Sequence, residues 1–151
     1  MAFISDKDRA SIAKMFEENL GNPVRLILFT IPPSPLFIPG RPSCETCKDV
    51  QQLIEEIASL SDKLTLEIHN LEREREVAER YGITRVPALL VASGDEGRVR
   101  YFGAPAGYEF STLIQDIQAV SKHQTALSQA TRDALAAIDE PIHLQVFVTP
   151  T

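Results

Sequence analysis

Two hydrophobic periods divide the chain. Ile12, Met15, Phe16 and Leu20 recur at helical spacing behind Ser5 and Asp8, which are spaced like a capping box, and Gly21-Asn22-Pro23 stops the run. This predicts an amphipathic first helix. Residues 24–30 are apolar and β-branched almost throughout, Arg25 excepted, as in a central strand covered on both faces. Five prolines (Pro32, Pro33, Pro35, Pro39 and Pro42) then make residues 31–43 an irregular or polyproline-like loop.

Residues 44–60 return to helical period, with Val50, Leu53, Ile54, Ile57 and Leu60 on one face. Leu64, Leu66 and Ile68 alternate with polar neighbours, a strand pattern. The charge-dense stretch 72–81 fits a short helix ending at Gly82, a residue preferred just past a helix. Residues 88–92 and 98–102 read as antiparallel strands joined by a tight turn. Phe110, Leu113, Ile114, Ile117 and Val120 stripe a helix over 109–122, and a further helix over about 125–138 ends before Pro141. Residues 142–148 read as a last strand. The order is β, α, β, α, β, β, α, with an extra N-terminal helix and an extra C-terminal helix and strand. Such an order predicts a three-layer α/β fold with a mixed β-sheet.

The composition is that of a soluble globular domain: 151 residues, 44% of them hydrophobic and 24% charged. At that size a core needs neither disulfide staples nor a structural metal. Fifteen Lys and Arg against 21 Asp and Glu give a formal charge of -6, which argues against nucleic acid and anionic membrane as partners. No apolar run approaches the roughly 18 residues of a membrane span. Asp6, Lys7, Asp8, Arg9, Glu17 and Glu18 interrupt any signal-peptide core, so the reading is cytoplasmic.

Cys44-Glu45-Thr46-Cys47 holds both cysteines, after a strand and a loop and at the expected start of a helix. Thiols at i and i+3 across a first helical turn can close a disulfide. The outer one meets unpaired backbone N–H groups that favour a thiolate. Cys44 is therefore the expected nucleophile, and Cys47, less exposed, the residue that resolves its mixed disulfide. Metal binding is the competing reading, but one such pair supplies two ligands where zinc usually takes four, and His69, His123 and His143 are scattered. No metal site is assigned.

Gly82-Ile83-Thr84-Arg85-Val86-Pro87 stands immediately before a strand. A C-x-x-C opening a helix after the first core strand, followed some forty residues on by an apolar residue and proline at the start of a hairpin, resembles the thioredoxin and glutaredoxin superfamily. The resemblance implies a cis Val86-Pro87 bond that faces the cysteines and borders a substrate-binding groove. The front helix, the run Tyr101-Phe102-Gly103-Ala104-Pro105-Ala106-Gly107-Tyr108-Glu109-Phe110 and the ending from Ile142 narrow it to the glutaredoxin-like protein disulfide oxidoreductases. Those proteins join two thioredoxin-fold units, each with its own C-x-x-C. The expected organisation is a thioredoxin-like unit over 1–140, with 141–151 as linker and first strand of a truncated second unit. An unpaired apolar final strand would be a sticky edge inviting a homodimer.

The resemblance implies a dithiol-disulfide oxidoreductase that acts on protein disulfides, needs no cofactor and exchanges electrons with a flavoprotein reductase or small thiols. The alternative is a non-catalytic interaction module, or a metal-binding C-x-x-C unit, of a tandem protein. Loop 31–43 looks like an insertion relative to the family. It is either a substrate-selecting wall, with Arg41 adding positive charge near the thiolate, or a rigid surface detour. Glu45 opposes a thiolate on Cys44 and disfavours a strongly oxidising pair. Glu67 is the nearest candidate for a buried acid behind Cys47, although most strand glutamates face solvent.

Overall fold

A computed structural model describes residues 3–32, 43–94 and 96–148. Its elements run α1 (Asp6–Asn19), β1 (Val24–Thr30), α2 (Cys47–Ala58), β2 (Leu64–Asn70), α3 (Arg75–Tyr81), β3 (Ala88–Ser93), β4 (Glu96–Phe102), α4 (Tyr108–Lys122) and α5 (Gln129–Ala136). The four strands form one mixed sheet in the order β2-β1-β3-β4. Strand β1 pairs parallel with β2, Val24 opposite Leu64, and antiparallel with β3, Phe29 opposite Ala88. It is the expected central strand, because its alternate residues feed two separate cores.

On one face Val24, Leu26 and Leu28 pack with Ile12 and Phe16 of α1, Val50, Ile54 and Ile57 of α2, and Leu113 and Ile117 of α4. On the other, Ile27 and Phe29 join Leu90, Ala78 of α3 and Ile83. Helices therefore cover both faces of the sheet, giving the three layers. Helix α1 is part of the main core, since Phe16 is fully buried. Ser5 caps it by accepting from the Asp8 N–H (3.1 Å), as the spacing predicted. Glu56 of α2 grips the segment before it, accepting from the N–H groups of Phe3 (2.9 Å) and Ile4 (3.1 Å) and from Arg9 (3.1 Å).

The second face also holds a polar network. Arg25 donates twice to the Glu67 carboxylate (2.6 and 3.0 Å) and once to the Gly94 carbonyl (2.9 Å). His69 stacks on Phe29, and its Nδ1 lies 2.8 Å from Glu74. The other oxygen of Glu74 accepts from the Asn70 N–H (2.7 Å), while the Asn70 side chain accepts from the N–H groups of Glu72 and Arg73. These bonds make 70–74 a turn. Helix α3 consequently starts at Arg75, three residues later than the charge pattern predicts. The Arg25 hydrogen bond holds the Glu67 carboxyl below its ordinary value of 4.5, and the carboxylate in turn raises the guanidinium.

The expected last strand is not formed. Residues 141–148 have no helix or strand pairing, and Ile142, Leu144, Val146, Phe147 and Val148 are 69 to 88% exposed. Alternation alone cannot make a strand, because a strand needs a partner to complete its ladder. Helix α5 contributes no buried residue, so it does not anchor the tail on the core. Among the described residues no helix is long and apolar enough to cross a membrane.

Two measurements test this packing. Phe16→Ala should destabilise the fold by about 3–5 kcal/mol, seen as a lower urea midpoint; a loss typical of a surface site would show that α1 is an appendage. Glu67, depressed in the folded state, lends stability above the unfolded carboxylate value near 4.5 and loses it as the pH falls through its lowered value. The deficit of Glu67→Gln relative to the parent, measured by denaturation at several pH values, should therefore shrink on acidification. A constant deficit would remove the ion pair as its cause.

Candidate active site

The site sits where the sheet register gathers four chain segments. Thr30 at the end of β1 lies opposite Asn70 at the end of β2. Next to Thr30, Phe29 lies opposite Ala88, the first residue of β3, and Ala88 lies opposite Phe102, the last of β4. The loop leading to the cysteines leaves from β1, and Val86-Pro87 enters β3. The segment that leads to the cysteines and the Val86-Pro87 segment thus leave and enter the sheet at the same end.

Cys44 and Cys47 are bonded to each other, with their Cα atoms 5.4 Å apart. Cys47 is the first residue of α2 and is 1% exposed, whereas Cys44 is half-buried in the segment before it. The helix begins three residues later than the hydrophobic period indicated. Thr46 is its N-cap, its carbonyl accepting from the Val50 N–H (2.9 Å) without help from its side chain. Cys44 therefore precedes the first turn rather than opening it. Cys47 is the less exposed of the two residues, as expected. The difference arises because Cys47 shares the inward stripe of Val50, Leu53, Ile54 and Ile57.

The Val86-Pro87 bond is cis, as the resemblance implied. Pro87 is buried and Val86 half-buried. The Pro87 carbonyl accepts from the Gly103 N–H (3.0 Å), which ties the entry of β3 to the exit of β4. Gly103 has φ 100°, a conformation that a side chain resists.

The remaining expected residues divide. Glu45 is exposed between the cysteines. Glu67 lies in register with Ile27, on the sheet face away from α2, and is taken by Arg25. It is therefore not the acid behind Cys47. A strand residue's side is set by register, and the period of two places Glu67 with His69 and not with Leu66. Arg41 lies outside the described residues. Sequence reading passed over one contact at this end: the Arg85 guanidinium carbon stands 4.4 Å from the centre of the Phe102 ring. Its position directly before Val86-Pro87 was the available signal.

Known proteins agree with this geometry. The thioredoxin domain family model matches residues 38–115. The chain is similar to a protein disulfide oxidoreductase from Aeropyrum pernix K1, with a TM-score of 0.72 and 26% identity over 88% of this chain and 54% of that one. A second neighbour, the NTD_N/C domain of the alkylhydroperoxide reductase AhpF from Enterococcus faecalis, has a TM-score of 0.73 at 22% identity, covering 91% of this chain and 62% of that one. This second likeness is one of fold. The NADH dehydrogenase of Bacillus subtilis is 27% identical over 107 residues, which are 71% of this chain and 19% of that protein. The chain thus spans about a fifth of that curated relative and little more than half of the first solved neighbour. With its mixed sheet, its C-x-x-C disulfide before α2 and a family match over more than half its length, the chain belongs to the thioredoxin domain family.

Proposed function

We propose that the protein is a dithiol-disulfide oxidoreductase for protein disulfides. The observation that carries this is the bonded Cys44–Cys47 pair, Cys44 half-buried and Cys47 covered, in a thioredoxin-type mixed sheet whose β3 is entered through a cis Val86-Pro87 bond. In the reduced protein the Cys44 thiolate attacks a client disulfide. A Cys44–client bond forms and one client sulfur leaves as thiolate, taking up a proton. Cys47, deprotonated, then attacks the Cys44 sulfur, restoring the Cys44–Cys47 bond and releasing the second client thiolate. Two electrons pass from the pair to the client. Extended client backbone alongside Val86 and Pro87 would hold the target sulfur in line.

The electrons must be renewed by a flavoprotein reductase or by small thiols. Similarity to a protein named NADH dehydrogenase supports a place in such a relay. A cytoplasmic setting suits this cycle, because its thiol pools keep catalytic disulfides transient. We read residues 141–151 as the linker and first strand of a second thioredoxin-fold unit. The exposed apolar tail supports that reading, and without such a unit it would favour a homodimer.

Cys44→Ser should abolish insulin reduction by dithiothreitol above the uncatalysed rate. Cys47→Ser should accumulate mixed disulfides, detected by intact mass after acid quenching. Normal turnover by the Cys47→Ser protein would overturn the two-cysteine mechanism.

A further inference from the structure

Arg85 is an exposed cation at the edge of the site, and its setting differs from that of an ordinary surface arginine. Its guanidinium lies over the Phe102 ring, and Phe102, at the end of an edge strand, is itself 40% exposed. The two segments that carry this pair are tied together by the Gly103 N–H to Pro87 carbonyl bond, Gly103 being one residue past Phe102 and Pro87 two past Arg85. Its place over the ring restrains the guanidinium while its N–H groups remain able to donate. Among the described residues no carboxylate is paired with Arg85. A restrained, unpaired guanidinium is suited to a bidentate carboxylate, and the ordering cost of the arginine side chain is already partly met by the ring.

We propose that Arg85 is a specificity-determining residue, selecting client disulfides with a carboxylate next to the reactive cysteine. The proposal rests on the oxidoreductase reading, since it places client backbone along Val86, the residue that follows Arg85. The sign is opposed by the rest of the molecule. The chain carries a formal charge of -6, and Glu45 is exposed between the cysteines. An acidic client therefore gains only where it meets Arg85, which makes the preference local and dependent on where its acid sits.

The test uses the whole chain and three fluorogenic disulfide peptides that differ only in a Glu, Gln or Lys beside the cysteine. The Glu peptide should exceed the Lys peptide in kcat/KM by about fivefold at low salt, the scale of a well-placed surface ion pair. The advantage should lie in KM and shrink as salt is added. Arg85→Gln should bring the three peptides together and Arg85→Glu should reverse their order, a reversal that a merely structural role would not produce. Equal rates for all three peptides with the unaltered protein would overturn the selection and leave the oxidoreductase reading standing, even if no variant folded. A preference that survives in Arg85→Gln would also overturn it. No turnover of any peptide would sink both readings.

Discussion

Everything at the site depends on how the two neighbours of β1 run beside it. With β2 parallel on one side and β3 antiparallel on the other, the end of β1 meets the end of β2 and the beginning of β3. A chain leaving β1 therefore emerges beside the chain entering β3. No side chain at the site has to create this meeting, because main-chain hydrogen bonds along five residue pairs between β1 and β3 impose it. Slipping that pairing by one residue would turn Leu26 and Leu28 from one core to the other and at once shift the entry of Val86-Pro87 relative to the end of β1. Stability and site geometry are thus secured by the same register.

The two cores do different work. The larger one joins α1, α2 and α4 to the sheet through aliphatic side chains and Phe16, and it fixes α2, on whose first turn Cys47 sits. The smaller one is thin, with Ala78, Ala88 and Ala92 among its buried members. Its shortage of large side chains is offset by polar contacts: the Arg25–Glu67 pair, His69 stacked on Phe29, and Glu74 closing the turn after β2. This accounts for acidic and basic residues standing at inward-facing strand positions beside Ile27 and Phe29.

Much of this was legible in the sequence because burial leaves a period. Residues 24–30 were readable as a two-sided strand, and Val50, Leu53, Ile54 and Ile57 as one helix face, since each core asks for apolar side chains at fixed intervals. The cysteine spacing and Val86-Pro87 were legible for another reason: they are local motifs. What stayed hidden depends on partners far along the chain. Arg25 and Glu67 are 42 residues apart, so nothing near either announces their pairing. Glu74 looked like one more charge on a solvated helix, whereas it accepts the Asn70 N–H and ends the run that would have begun the helix earlier. Residues 142–148 show the converse, for a period of two states which face wants covering and cannot supply the neighbour that covers it.

The contrast between the cysteines follows from where α2 begins. If the helix opened at Cys44, as its hydrophobic period indicated, both sulfurs would lie within the first turn. Starting at Cys47, it draws only the second into the row that runs through Val50 and Ile54 to the core. Cys47 is thus covered by the core while Cys44 stays half-buried in the segment before the helix. On the proposed oxidoreductase reading, packing would then set the order of attack: Cys44 would reach a client first, and Cys47 would act on the sulfur already next to it, so that a mixed disulfide would be resolved within the molecule.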